Sequence, residues 1–407
     1  MSDPKIPLPT GMALSALDAT FREQPHEYLD YLRLREPVHQ DRVFDRVVLT
    51  RAEDIGSVLN DRTLVSDPRK SRAGSFSRVQ LGVNDKFQPT MLHMDDPDHK
   101  RLRDLVSKAF NQRSVDAMRT RIGGVASRLL DDVAGRSCFD VMEAYARPLP
   151  TIVIAEMLGI DEADQRDFKH WSDRQIHMFN PLRTVEQQNS LDWGKDALHG
   201  YLSKVVSDRR RNRGTDLISS LITAEEEGEQ LDEPEIISIC QLLLIAGNVT
   251  TTDLIGNGVL ALLRHPGEVA KLLKQPELAG NAVEEVLRYD SPVVQANRVA
   301  SASMQINGCP VAAGQTVSVS LLAANHDPSM HPDPRKFDIE RADKRHHAFG
   351  GGAHFCLGAP LARAEAQIAI PLIFTRFPKL RLLPDKAPVR KSLPSFNGLD
   401  SLWVAID

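Results

Sequence analysis

Residues 346–365, HHAFGGGAHFCLGAPLARAE, bring three histidines, four glycines and one cysteine together just before a helical pattern begins. Cys356 stands at the amino end of that helix, with Pro360 near its first turn, where proline fits. Unpaired backbone N–H groups and the partial positive charge of a helix start stabilise a thiolate, the form of cysteine that ligates metals. Gly350, Gly351 and Gly352 carry no side chain and would let the backbone approach a flat ligand closely. Three other chemistries compete. A lone thiol is commonly a buried structural residue. Zinc could be held by His346, His347, His354 and Cys356, although at irregular spacing within one short segment. A phosphate loop would require Gly-Lys-Ser/Thr at the helix start, and that is absent.

Other residues are spaced for chemistry elsewhere in the chain. Glu285 and Arg288 lie three apart, on one helix face, and no second Glu-x-x-Arg occurs. His99 and Arg103 are four apart and share a face in the same way. In LLLIAGNVTTTDLIGNGVLALL, residues 242–263, the Thr250 hydroxyl can bond the carbonyl of Ala246 one turn back, loosening the helix.

Phe349, Gly352, Cys356 and Gly358 meet in full the haem-binding signature Phe-x-x-Gly-x-x-x-Cys-x-Gly, and the sequence closely resembles the cytochrome P450 family of haem-thiolate monooxygenases. The resemblance runs from about Pro25 to the end of the chain. It implies a mainly α fold with a minor β region, a helical triangular prism around a buried haem b, with Cys356 as iron ligand and Phe349, Gly350 and Gly358 beside the cofactor. Thiolate donation to the iron would favour O–O cleavage. His99, Arg103, Arg298 and His354 match the family's contacts to the haem propionates, which need cationic donors when buried. Glu285, Arg288 and Arg341 match its structural ion network. Ala246 and Gly247 fall where O2 and substrate approach iron, and Thr250 where the oxygen-activating threonine lies. The resemblance further places Phe87, Ala246, Val249, Val293, Val294 and Ala296 in the substrate pocket, which suits a largely apolar small organic molecule.

One position departs from the family pattern. The acid that normally precedes the threonine is replaced by Val249, which cannot exchange a proton. Protons would then come from water on Thr250, from Thr251 or Asn248, from a substrate group or from Asp253 one turn on. Alternatively, peroxide would drive the reaction, or the chain would bind haem without catalysing oxidation.

These residues need elements to hold them, and the chain of 407 residues has the means. Apolar spacings of three and four predict helices over residues 99–134, 145–160, 192–212, 233–264, 265–289 and 359–376. VHQDRVFDRVVLT alternates as a hairpin does, and strands over 299–306 and 311–321 would meet at Asn307-Gly308. With no repeat or linker, residues 1–407 read as one domain. A net charge of −5 argues against nucleic acid or an anionic membrane as partner. No run of apolar residues approaches the length of a membrane span, and MSDPKIPLPTG lacks the features of a signal peptide, so a cytoplasmic chain is expected. Four scattered cysteines fit free thiols. The arginines from Arg209 to Arg213 and the acids from Glu225 to Glu229 read as solvated charge. Lacking a flavin module, the chain would draw electrons from NAD(P)H through ferredoxin reductase and ferredoxin, with Lys100, Arg101, Lys344 and Arg345 as the basic patch for an acidic partner.

Overall fold

The computed structural model describes residues 8–180, 182–227 and 231–407. Within them, the helices that position the site are α1 (Ala52–Asn60), α2 (Asp98–Ser107), α3 (Gln112–Asp131), α4 (Pro148–Leu158), α5 (Gln165–Arg174), α6 (Val185–Arg211), α7 (Glu233–Arg264), α8 (Ala279–Tyr289) and α9 (Ala359–Arg376). The helix pattern expected over 99–134 breaks at Asn111, whose side chain accepts from Ser114 N and caps α3. α7 begins with a capping box, in which Asp232 accepts from Glu235 N and the Glu235 carboxylate accepts from Asp232 N, with a proline inside the first turn.

The β region includes a five-stranded sheet formed by β1 (Val38–Asp41), β2 (Arg46–Leu49), β3 (Leu64–Val65), β4 (Gln295–Ala300) and β5 (Thr316–Ser320), in the order β1-β2-β5-β4-β3. β1 and β2 form the expected antiparallel hairpin. The pair expected across Asn307-Gly308 is split. Only Met304–Ile306 and Cys309–Val311 meet at the turn, where both central residues have positive φ, while β4 and β5 pair with each other beyond it.

The main core lies between helices. α7 runs through it and packs on α4, α6 and α9, with Ile236, Leu244, Ile255, Val259 and Leu262 buried. Contrary to the expectation that no segment has membrane-span character, α7 is long and apolar enough by length and composition, at mean hydropathy 1.3 over an 18-residue window. Being apolar on most sides is also what a central core helix requires. Gly258 shows how tight the packing is: a Cβ there would lie 2.5 Å from Ile370 Cδ1 on α9.

The charge runs are less free than the sequence implied. Arg209 pairs with Asp216, Arg210 with Glu225 and Glu233, and Arg213 with Glu226. Glu229 and residues 1–7, which include most of the signal-peptide reading, lie outside the described residues.

Candidate active site

α7 and α9 face each other across a cavity of about 280 Å³ with Cys356 on one wall and Ala246, Gly247, Thr250, Thr251 and Leu254 on the other. The backbone before Cys356 is bound back on itself, with Cys356 N donating to Phe349 O at 3.0 Å and Gly350 N to His347 O at 2.8 Å. Gly350 adopts φ +70° and lines the cavity. The other two glycines answer a different demand from the one expected. A Cβ on Gly352 would stand 2.2 Å from Leu59 O, and one on Gly351 3.1 Å from Leu59 Cβ, so they admit the end of α1 and not a flat ligand.

Burial pushes the Cys356 thiol up, while the N–H groups of Gly358 and Ala359 and the charges of Arg103 and Arg363 act in the opposite sense. A sulfur so enclosed, with helix-start amides already aimed at it, suits a thiolate neutralised by a bound cation. Arg363 lies 4.6 Å over the Phe349 ring and forks onto Glu284 at 2.7 and 2.8 Å, and His346 Nε2 meets the same carboxylate at 3.1 Å. His346 is therefore engaged away from Cys356. Among the described residues no group of three or more His, Cys, Asp or Glu forms a metal cluster, which removes the zinc reading.

Behind the loop, Glu285 is the hub of a buried network. Arg288 donates to it twice at 2.8 Å, Arg341 Nε reaches both oxygens at 3.2 and 3.3 Å, and Asp338 N donates at 2.9 Å. Arg288 also donates to the carbonyls of Asn325, Pro334 and Lys336, and Asn325 Oδ1 accepts from His347 N at the start of the cysteine loop. The network thus connects α8 to the loop through one residue.

His99, Arg103, Arg298 and His354 gather at one end of the cavity, with His99 Nδ1 3.4 Å from Asp96 Oδ1. His99 and His354 stack at 4.0 Å between centroids, and both imidazoles are pushed below their ordinary range by burial, His354 to about 3. Arg103 Nη2 donates to Phe355 O at 2.5 Å. Arg298 is 8% exposed and does not itself line the cavity, and among the described residues its guanidinium bonds the carbonyl of its neighbour Asn297 alone, at 2.9 Å. Burial lowers the pKa of both arginines. Their fields and that of His99 act on His354, which places the four groups together. The nearby Asp95 is already occupied by Ser66 N and Lys70 Nζ. Two desolvated arginines without a carboxylate of their own, beside two buried imidazoles, fit the two carboxylates of a haem.

On the opposite wall, Thr250 Oγ1 donates to Ala246 O at 2.7 Å, the bond that the sequence suggested. Val249 lies outside the cavity wall: it sits off the face shared by Ala246, Gly247, Thr250 and Leu254 on a helix of 3.6 residues per turn. Asp253 faces away as well. It is fully buried, accepts from Lys391 Nζ at 2.6 Å, and fills the space over Gly398, where a Cβ would stand 2.1 Å from its carboxylate carbon. Asn248 is turned to Ser172, at 3.3 Å.

Val293 and Ala296 line the cavity, but Val294 packs instead on the cluster of Leu14, Phe21 and Leu322, since successive residues of an extended segment face opposite ways. Phe87 belongs to a second, outer channel of about 580 Å³, which shares Leu92, Leu242 and Ala246 with the cavity. Of the basic patch, Lys100 pairs with Asp104, Arg101 with Glu235 and Arg345 with Asp343, leaving Lys344 on the Asn281 amide.

Among the cavity residues that the sequence reading does not name, one is titratable. Glu365 is 2% exposed, its Oε2 has no partner, and burial pushes its carboxyl up to about 8. Among the described residues that line the cavity it is the only carboxylate. Its spacing was the available signal, because Gly358, Leu361, Ala362 and Glu365 recur at three and four on one face of α9.

A family model described as Cytochrome P450 matches residues 4–397. The chain is 38% identical over 403 residues to cytochrome P450 107B1 of Saccharopolyspora erythraea, covering 96% of this chain and 97% of that one. It is 36% identical over 393 residues to the 6-deoxyerythronolide B hydroxylase of the same organism, covering 93% and 96%. The crystal structure of the myxobacterial cytochrome P450 CYP267B1 in complex with myristic acid superposes with a TM-score of 0.88 at 36% identity, over 95% of this chain and 98% of that one. With a thiol loop, a group of buried arginine and histidine donors and a threonine-bearing helix gathered at one cavity, and with relatives matched over nearly their whole length, the chain belongs to the cytochrome P450 family of haem-thiolate, oxygen-incorporating oxidoreductases.

Proposed function

We propose that this chain is a single-domain cytoplasmic monooxygenase, residues 1–407, that inserts one atom of O2 into a largely apolar organic substrate. Electrons would come from NAD(P)H through ferredoxin reductase and an external ferredoxin. Haem b, when bound, supplies oxygen activation at its iron. Cys356 would hold the iron, with its sulfur supported by the amides of Gly358 and Ala359. His99, Arg103, Arg298 and His354 would hold the propionates.

The chain's own residues account for orientation and protons. Because the Thr250 hydroxyl spends its hydrogen on Ala246 O, its lone pairs are free to accept from a water or ligand in the cavity. Glu365, with its carboxyl pushed up to about 8, carries a proton at neutral pH and faces the same cavity, the capacity that Val249 lacks. That supports an O2-dependent reaction over a peroxide-driven or non-catalytic one. The apolar wall of Leu243, Leu254, Val293 and Ala296 favours an apolar reacting carbon and excludes bulk water.

The observation that carries this reading is the enclosed Cys356 sulfur facing Thr250 across a cavity that has Arg103, His99 and His354 at one end. The reduced carbon monoxide complex of the purified protein is expected to show the long-wavelength Soret band of thiolate ligation, and Cys356→His is expected to move it to the short-wavelength position. A short-wavelength band in the unaltered chain, or no porphyrin at all, overturns the reading. Low-salt turnover with ferredoxin, its reductase and NAD(P)H then separates an oxygenase from a haem-binding protein.

A further inference from the structure

The relatives leave the substrate open, one being named a 6-deoxyerythronolide B hydroxylase and another crystallised with myristic acid. The outer channel of this chain is more specific. It is lined by Lys86, Arg183 and Lys195 against a single carboxylate, Asp192. Asp192 accepts from Gln188 Nε2 at 2.9 Å and forms no ion pair among the described residues. Among the described residues none of the three cations pairs with a carboxylate either. Among the described residues the Arg183 guanidinium bonds Gln188 Oε1 and the carbonyl of Asn180 and no acid.

A second, independent feature has the same polarity. Gln175, 4% exposed, and Gln241 both line this channel, and the Nε2 donor of each is buried without a hydrogen-bond partner. An unmet buried donor is destabilising unless a ligand satisfies it. The channel therefore offers cations and N–H donors in excess of acceptors. Its inner end opens at Leu92, Leu242 and Ala246 into the apolar cavity. Along α7, Gln241 precedes Thr250 by nine residues, about 13 Å at 1.5 Å per residue.

We propose that the substrate is an amphiphilic carboxylate, its carboxylate held at the channel mouth by Lys86, Arg183 and Lys195 and its apolar body running past Gln241 into the cavity. This rests on the monooxygenase reading and names the substrate class of the same site. A chain shorter than the span between mouth and cavity cannot occupy both ends, so affinity should rise with chain length until the span is filled.

The test uses the haem-loaded protein at low salt, after its carbon monoxide spectrum has established thiolate ligation. Octanoic, dodecanoic and tetradecanoic acids, and the methyl esters of the two longer acids, are titrated by calorimetry and by the spin-state shift of the Soret band. The longer acids are expected to bind about tenfold or more tighter than their esters, equivalent to about 1.4 kcal/mol. The double variant K86Q/K195Q, which leaves Arg183 to tie its loop, is expected to remove most of that preference while ester affinity holds. Equal binding of acid and ester, or a preference untouched by the double variant, overturns the proposal and leaves the monooxygenase reading standing. So does an acyl thioester on a carrier protein that binds far more tightly than any free acid, since it has no free carboxylate. Failure of the carbon monoxide test removes both.

Discussion

Two regions of the molecule treat buried charge in opposite ways. Behind the cysteine loop, Glu285, Arg288 and Arg341 satisfy one another and the backbone of a connecting segment, and Glu284 does the same for Arg363 and His346. Around the cavity end, Arg298 and His354 are desolvated without a carboxylate of their own, and the Glu365 carboxyl on the cavity wall has an oxygen without a partner. Paired charge fixes a shape, because removing either member strands the other in a medium that solvates it poorly. Unpaired buried charge raises the energy of the empty chain and is retained where a ligand or a proton completes it.

The comparison breaks most visibly at its paired side. Glu285→Gln leaves Arg288, 1% exposed, without its counter-charge, and is expected to cost about 3–5 kcal/mol, read as lost urea stability and loss of soluble haem-loaded protein. A stability change under about 1 kcal/mol would place the network outside the fold's essential supports.

Glu365 tests the unpaired side through pH. Its folded carboxyl titrates near about 8 and the unfolded one near the ordinary 4.5, so the folded chain holds a proton that the unfolded chain has released. Stability therefore falls as pH rises through that window, by up to about 1.4 kcal/mol per unit, and is flat below it. Glu365→Gln is expected to abolish this slope in thermal unfolding scans of the haem-free chain and to be more stable than the original at about pH 8. An unchanged slope would mean that the carboxyl is solvated.

Arg298→Leu sharpens the contrast because its two effects have opposite signs. Removing a desolvated cation is expected to leave the haem-free chain as stable or more so, while haem retention against apomyoglobin weakens about tenfold, or about 1.4 kcal/mol. Destabilisation of both forms would assign Arg298 to the paired class. Thr250→Ala should spare the haem-binding spectrum and both stabilities. Its effect lies in proton handling: product formed per NAD(P)H is expected to fall about tenfold, with hydrogen peroxide making up the difference. Unchanged product yield would remove Thr250 from that role. The smallest effect belongs to the basic patch. Since Lys100, Arg101 and Arg345 are already paired within the chain, Lys344→Glu is expected to slow first-electron transfer by only about threefold at low salt, and less as salt rises.

Much of the site was legible because its parts are local. Cys356 at a helix start, Glu285 three before Arg288, His99 four before Arg103 and Thr250 four after Ala246 are all spacings within one helix or one loop, which backbone geometry fixes almost regardless of context. The errors fall where a side chain could turn to more than one neighbour. The sequence offers Gly351 and Gly352 to a flat ligand, but the end of α1 takes that space. Val249 and Val294 sit beside cavity residues in sequence and point elsewhere, and Asp253, a candidate proton source, belongs to Lys391, more than a hundred positions later.

By itself the sequence determined the helices, the thiol loop and the residue types able to bind a haem, since hydrophobic periodicity, caps and motif spacing act over a few residues. Only the tertiary structure decided which charges meet. Arg341 reaches Glu285 across 56 positions, Lys391 neutralises Asp253 and leaves Glu365 as the cavity's carboxylate, and the cations at the channel mouth stay unmatched. The strength of a charge interaction depends on separation and burial in space, and neither is written in the order of the chain.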